Sequence, residues 1–159
     1  MKYKITILNI VFFSNLLNLR LNAQSPSIYI GRINSQFLKE SPYNEWFKKP
    51  LFPIIPDSSV QYNKDFNRYK ALLVLGTWCE DSHQYVPEIL EYFDNLKGFN
   101  NLETFCVDRD KICSQCPTDI KVQKIPLLII LKDNIEIARM EESPPKNVKH
   151  FLDNTLRGN

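Results

Sequence analysis

The sequence lacks an uninterrupted apolar run long enough to cross a membrane. Its main apolar stretch, from Ile5 to Leu19, is broken by three asparagines and a serine. A membrane-spanning helix needs about 20 predominantly apolar residues in succession. The stretch therefore argues against a membrane anchor.

The residues around this stretch have the pattern of a secretory signal peptide. Lys2 and Lys4 precede it, and Leu21-Asn22-Ala23 places a small residue before Gln24. A basic start, an apolar centre and a small residue at the end are typical of a cleaved export signal. The sequence predicts a signal peptide over residues 1–23, no membrane anchor after cleavage, and a periplasmic or extracellular location.

A strong net charge is also missing. The chain has 20 basic and 18 acidic residues, and three of the basic ones, Lys2, Lys4 and Arg20, belong to the signal peptide. The mature chain therefore has 17 basic against 18 acidic residues, a formal net charge of −1. Since no basic surplus remains to neutralise phosphates, we expect no nucleic-acid partner.

Cysteine is scarce, and repeats and low-complexity tracts are missing. The four cysteines all lie beyond the signal peptide, at positions 79, 106, 113 and 116. Export would bring them to a compartment where disulfides persist. The 159 residues, 43% of them hydrophobic, fit one domain with an ordinary core.

The mature chain divides into an arm and a domain. Residues 24–56 combine five prolines with scattered aromatic residues, which predicts an irregular arm packed on a domain that spans residues 57–159. Asp57 or Ser58 can cap a first helix. The apolar residues predicted for that helix are Val60, Tyr62, Phe66 and Tyr69.

The domain has the pattern of an α/β fold. Residues 71–75 form a continuous apolar run that suits a strand buried on both faces. Apolar residues then recur at helical spacing from Tyr85 to Leu96, and residues 102–107 predict a second strand. The connection from Asp108 to Val122 is predicted to contain another helix.

The last part of the chain predicts a hairpin and a helix. Two apolar strands, residues 127–131 and 135–140, flank residues 132–134, where Asp-Asn tolerates the left-handed angles of a tight turn. Ser143 followed by Pro144 is a typical helix start. Together the elements predict a mixed central sheet with helices on both faces.

Cys79 is predicted to lie at the turn between the first strand and the helix that follows it. There the free N–H groups of the helix and its dipole favour a thiolate. Glu80 and Asp81 place negative charge beside that thiolate and oppose it. Ser82 can hydrogen-bond the sulfur but cannot attack a mixed disulfide, and His83 adds a proton acceptor or a positive charge. The sequence leaves the reactivity of Cys79 open.

Three motifs in this order resemble the thioredoxin family. They are Trp-Cys-x-x-Ser at residues 78–82, Pro87 eight residues after the cysteine, and Ile125-Pro126 before the hairpin. The resemblance extends from Ala71 to Leu156. It implies a thioredoxin fold and disulfide chemistry at Cys79.

The resemblance also implies a substrate site. In the family a cis-proline faces the sulfur, and Pro126 matches that position. A cis X-Pro bond is energetically accessible and leaves backbone groups free to pair with an extended substrate beside Trp78, Ile125 and Pro126. The alternative is a trans proline at the start of a strand. Cys79 and Ser82 are the residues that the resemblance makes catalytic, and no cofactor is implied.

Two departures from the family alter the expected chemistry. Ser82 replaces the second active-site cysteine, and Leu73 occupies the position of the buried acid that many thioredoxins have. A dithiol enzyme needs its second cysteine to release the mixed disulfide. Here an external thiol or reductant would have to resolve it.

Cys113-Ser114-Gln115-Cys116 has the spacing of a redox pair or of half a zinc site. Two sulfurs are too few ligands for zinc, so we expect no metal. A structural disulfide between Cys113 and Cys116 is favoured, and a sharper hypothesis is that this pair resolves Cys79. Cys106, within a predicted strand, is expected to be an inert core residue.

Two functions remain. The first is a monothiol thiol-disulfide oxidoreductase that acts through Cys79 on disulfides of exported proteins or of small molecules. The second is a binding module that has lost the reaction and holds an extended peptide on the face of Trp78 and Pro126. A peroxide-reducing enzyme is excluded, since Gly76 stands where such enzymes have a threonine.

Overall fold

The computed structural model describes residues 28–48, 50, 52–58, 65–117 and 120–157. The strands are β1 (Gly31–Ile33), β2 (Tyr69–Leu75), β3 (Leu102–Cys106), β4 (Leu127–Lys132) and β5 (Ile135–Glu141), and the helices are α1 (Glu80–Asn95) and α2 (Val148–Thr155). The α/β prediction is confirmed. The predicted signal peptide lies outside the described residues, and within them no helix has the length and apolarity needed to cross a membrane.

The sheet is mixed and has the order β1-β3-β2-β4-β5. β2 runs parallel to β3, whereas β1 with β3, β2 with β4, and β4 with β5 pair antiparallel. β2 therefore lies at the centre of the sheet. Its residues from Ala71 to Leu75 are fully or almost fully buried, which explains the continuous apolar run.

The two faces of the sheet are covered in different ways. Leu73 and its alternate neighbours in β2 pack in one apolar cluster together with residues of both α1 and α2. Leu72 and Val74 pack in a second cluster, which Cys116 and Ile125 help to form. Within the described residues both helices therefore lie on the same face, and the prediction of helices on both faces is wrong for this part of the chain. A segment between β3 and β4 covers the second face instead.

The helix predicted for residues 108–122 is absent from the described part of that segment. The Asp108 carboxylate accepts a hydrogen bond from the backbone N–H of Ile112 (3.1 Å), a local bond that competes with helix formation. Pro117 lacks the N–H that a helix interior needs. Turns and a disulfide-closed loop take the place of the helix.

The arm packs against the sheet and also extends it. Leu38 and Tyr43 are buried in the same cluster as α1 and α2. β1, which the sequence did not predict, pairs with β3 at one edge of the sheet. A three-residue strand carries too little alternation to be recognised from its pattern.

The prediction of a helix that begins at Asp57 or Ser58 is wrong for its C-terminal residues, which the structure describes. Phe66–Arg68 forms a single short 3-10 turn, and Tyr69 is already the first residue of β2, where it pairs with Lys132. Residues 59–64, with the predicted helix positions Val60 and Tyr62, lie outside the described residues.

The predicted hairpin is confirmed, but the last helix begins later than expected. Asp133 and Asn134 have φ angles of 52° and 63°, the left-handed values of a tight hairpin turn. α2 begins at Val148, because the Asn147 side chain caps it by accepting a hydrogen bond from the N–H of His150 (2.8 Å). Ser143 precedes the helix and does not start it.

Candidate functional site

Cys79 lies where β2 turns into α1. Its N–H donates to the carbonyl of Gly76 (3.0 Å), which closes a tight turn after β2. Cys79 is the N-cap residue of α1 in an extended conformation, and its side chain makes no capping hydrogen bond. Cys79 is partly exposed at the head of the helix, and its side chain is free of the helix backbone.

The Cys79 sulfur faces the loop that leads into β4. Its Sγ lies 3.7 Å from the carbonyl oxygen of Ile125, to which the thiol donates a hydrogen bond. The Ile125–Pro126 peptide bond is cis, as the sequence analysis expected. Two segments 46 residues apart thus meet at the sulfur.

Ser82 is buried beneath the turn. Its hydroxyl oxygen accepts a hydrogen bond from the N–H of Gly76 (3.2 Å), and the residue has no exposed surface. From its spacing, Ser82 could have bonded the sulfur of Cys79. The structure pairs the hydroxyl with the turn backbone instead, so Ser82 fixes the path of the chain that presents Cys79.

Gly76 lies where three parts of the site come together. A Cβ at this position would be 2.7 Å from Cδ1 of Ile125 and 2.8 Å from Cε2 of Trp78. Real Cβ atoms essentially never approach this closely. The residue is glycine because the backbone of the turn is packed directly against both side chains.

Trp78 joins the turn to the end of β3. Its indole N–H donates to the carbonyl of Val107 (3.1 Å), and the guanidinium of Arg109 lies 4.8 Å from the centre of its ring. The indole stays partly exposed. The structure therefore brings Trp78, Ile125 and Pro126, the predicted substrate-binding residues, to one end of the sheet with Cys79.

The arm supports the turn from the other side. The hydroxyl oxygen of Thr77 accepts a hydrogen bond from the N–H of Tyr29 (3.2 Å). The ring of Trp46 stacks on His83, with centroids 4.2 Å apart and planes at 17°. Nε2 of His83 lies 2.9 Å from the carbonyl of Thr77 and must carry a proton to donate to it. No pattern in the sequence predicts these contacts.

Leu73 and the two acids set the electrostatic environment of the site. Leu73 is completely buried in the helix-bearing cluster, so this position on β2 supplies no acid beneath Cys79. Glu80 and Asp81 are both exposed on the first turn of α1. Solvent therefore screens the charges that oppose a thiolate at Cys79.

Cys106 is buried, as predicted. It has no exposed surface and packs in the helix-bearing cluster, and burial raises the pKa of its thiol from 9.0 to about 12. The thiolate is the reactive form of cysteine. Cys106 is therefore inert at neutral pH.

We expect Cys106 to make the protein less stable at high pH. Between pH 9 and 12 the unfolded chain releases this proton and the folded chain keeps it, so the free energy of unfolding falls as pH rises. The loss approaches about 1.4 kcal/mol per pH unit where the difference is complete. Urea denaturation from pH 8 to 11 should show that the free energy of unfolding falls less steeply with pH for Cys106→Ala than for the unmutated protein. Equal slopes for the two proteins would contradict this.

Cys113 and Cys116 form a disulfide, with Cα atoms 5.3 Å apart. Cys116 is buried and Cys113 is partly exposed. Between them, Gln115 accepts a hydrogen bond from the N–H of Arg32 in β1 (2.7 Å). Within the described ranges no group of three His, Cys, Asp or Glu side chains could hold a metal ion.

Comparisons of this chain with protein-family models, with curated proteins and with solved structures find no match. A thiol on a partly exposed residue at a helix N-terminus, bonded to a carbonyl of a cis-proline loop, can attack a disulfide or can help to hold an extended chain.

Proposed function

We propose that the protein is an exported thiol-disulfide oxidoreductase of the monothiol type, with a thioredoxin fold and Cys79 as its nucleophile. The observation that carries the proposal is the position of Sγ. Sγ belongs to a partly exposed residue at the head of α1 and lies 3.7 Å from the carbonyl of Ile125. This places the sulfur beside a backbone group that an extended substrate could pair with.

The order of elements supports the thioredoxin fold. From Tyr69 the described chain runs strand, helix, strand, strand, strand, helix, and the central β2 is parallel to β3 and antiparallel to β4. The motif residues Trp78, Pro87 and Pro126 occupy the turn, the interior of α1 and the cis-proline loop. An irregular segment replaces the helix expected between β3 and β4.

The proposed reaction needs one protein sulfur and one external thiol. The Cys79 thiolate attacks one sulfur of a substrate disulfide, the S–S bond breaks, and the other sulfur leaves as a thiolate. The product is a mixed disulfide on Cys79. An external thiol then attacks it and releases Cys79. Substrates would be disulfides of exported proteins or small molecules, in the periplasm or outside the cell.

The neighbouring residues have separate proposed roles. The partly exposed Trp78 contacts the substrate chain, and the Ile125 carbonyl accepts a hydrogen bond from a substrate N–H in place of the thiol. The Ile125 side chain and Pro126 are buried and hold that carbonyl in position. Ser82 holds the turn in position through Gly76. Substrate binding would thus break the bond between the thiol and its carbonyl as the sulfur reacts.

One observation favours the second candidate, a peptide-binding module without catalysis. The Cys79 thiol donates to a carbonyl oxygen, and a thiolate has no proton to donate. Only a protonated sulfur can make this bond to Ile125. The buried apolar Leu73 supplies no proton acceptor either.

The rate of alkylation of Cys79 separates the two candidates. We expect iodoacetamide to modify Cys79 at pH 7 faster than it modifies glutathione, because the N-terminus of α1 stabilises the thiolate. Glu80→Gln and Asp81→Asn should each accelerate the reaction about two- to fivefold by removing an opposing charge. Peptide mapping by mass spectrometry would give the rate at each cysteine.

Glu88→Gln is a matched control, because it removes an acid of α1 two turns beyond Cys79. It should leave the rate unchanged. If Cys79 reacts no faster than glutathione and the protein still binds an extended peptide, the binding module is the correct function.

A further inference from the structure

The segment between β3 and β4 begins and ends at the Cys79 site. At its start, Arg109 lies over the ring of Trp78 at 4.8 Å. At its end, the Ile125 carbonyl lies 3.7 Å from Sγ of Cys79. The disulfide between Cys113 and Cys116 lies in the chain between these two contacts.

The start of the described arm shows how near the disulfide is to the turn that carries Cys79. The N–H of Tyr29 bonds Thr77, two residues before Cys79 (3.2 Å). The N–H of Arg32 bonds Gln115, inside the disulfide loop (2.7 Å). Three residues of extended chain span at most about 10 Å. The turn before Cys79 and the disulfide loop therefore contact the same short stretch of the arm.

The sulfurs also lie on the same face of the sheet. Cys79 and Cys113 are both partly buried against the second apolar cluster, in which Cys116 is buried. Cys106, the other free cysteine, belongs to the cluster on the opposite face. Of the four cysteines, only the bonded pair shares a face with Cys79.

We propose that Cys113 and Cys116 are the resolving pair of Cys79. The inference rests on the proposed function, because it begins from a mixed disulfide on Cys79. With the pair reduced, the Cys113 thiolate attacks Sγ of Cys79, and the substrate leaves as a thiolate. The Cys116 thiolate then attacks Cys113, and Cys79 leaves as a thiolate.

The electrons of this sequence balance. The substrate disulfide gains two electrons and becomes two thiols, and the Cys113–Cys116 dithiol loses two and becomes the disulfide that the structure contains. In the proposed cycle this disulfide is the state after one turnover. An external dithiol reductant would return the pair to the reduced state. Cys113 attacks first because it is the exposed member of the pair.

The movement that the transfer requires is local. β3 ends at Cys106 and β4 begins at Leu127, so the segment between them can shift without breaking a sheet ladder. Its described residues contain neither a helix nor a strand. The bond from Arg32 to Gln115 is exposed and could open at low free-energy cost.

The amount of thiol released per molecule of unmutated protein tests whether the pair resolves Cys79, and it needs no substitution. The fully reduced protein, freed of reductant, is mixed with one equivalent of oxidised glutathione. We expect about two equivalents of glutathione thiol to be released, with Cys79 free and Cys113 joined to Cys116. Cys79→Ser should release thiol at least about tenfold more slowly, since the pair would have to react directly.

A trapped intermediate tests the order of the two attacks. Cys116→Ser should stop after the first transfer and accumulate a bond between Cys79 and Cys113, visible by mass spectrometry of a non-reduced digest. Cys113→Ser is the matched variant and should retain glutathione on Cys79. Far-UV circular dichroism would show that both variants keep the fold.

Two results would overturn the inference. If the unmutated protein keeps glutathione on Cys79 and Cys116→Ser forms no bond to it, the pair does not resolve Cys79, although the monothiol function stands. If Cys79→Ser releases thiol as fast as the unmutated protein, Cys79 is not the nucleophile and both proposals fail.

Discussion

Cys79→Ser will lower the rate of reduction of a peptide disulfide at least about tenfold, because only the Cys113–Cys116 pair could then react with it directly. The substitution is nearly isosteric, so the turn from Gly76 to residue 79 should keep its backbone hydrogen bond. A serine hydroxyl is far less acidic and less nucleophilic than a thiol and cannot form a disulfide. The measurement is reduction of a dye-labelled peptide disulfide with dithiothreitol as the electron donor.

Cys106→Ala is the control for this prediction. It removes the other free thiol, which is buried on the opposite face of the sheet, and should leave the rate unchanged. Cys79→Ser activity equal to that of the unmutated protein would end the proposal that Cys79 is the nucleophile. A lower thermal stability of Cys106→Ala, without a change in rate, would not contradict the role of Cys79, because the substitution removes a buried sulfur from the core.

Gly76→Ala should have the second large effect, on stability and on reactivity together. The new methyl group would lie 2.7 Å from Ile125 and 2.8 Å from Trp78. Forced overpacking of this kind typically costs about 1–3 kcal/mol. Relief of the overlap would push apart the two side chains that flank Cys79. Chemical denaturation gives the loss in the free energy of unfolding. The rate of alkylation by iodoacetamide gives the change in the reactivity of Cys79.

Gly98→Ala is the matched control for the backbone. Gly98 has φ +86°, and a Cβ there would lie 3.6 Å from Phe66, in ordinary contact. This variant should lose about 1 kcal/mol through its left-handed conformation, with no change in the alkylation rate of Cys79. If Gly76→Ala behaves like Gly98→Ala in both measurements, the close packing of the turn has no role in the site.

The sequence predicted the elements whose burial leaves a long or periodic pattern. Residues 71–75 could be recognised because β2 is flanked by β3 and β4 and buried on both faces. The hairpin could be recognised because Asp133 and Asn134 tolerate the left-handed angles that the turn uses. In both cases the local sequence and the tertiary environment favour the same structure.

The remaining features depend on contacts between distant residues. The segment after β3 has some apolar residues, which suggested a helix. The bond from Ile112 to Asp108 and the disulfide between Cys113 and Cys116 hold it in turns and a loop instead. Ser82 could be recognised as a missing cysteine, whereas its bond to Gly76 follows from the packing of α1 under the turn. Local propensity does not encode such contacts.

The arm determines which fragment of this chain keeps both the sheet and the Cys79 site intact. Tyr29 bonds the turn before Cys79, Trp46 stacks on His83, and β1 completes one edge of the sheet. A fragment that begins at residue 57 would expose the β3 edge to pairing with other chains and leave the head of α1 without its support. The smallest fragment that keeps these contacts therefore begins before Tyr29, upstream of residue 57, where the composition of the sequence places the start of the domain.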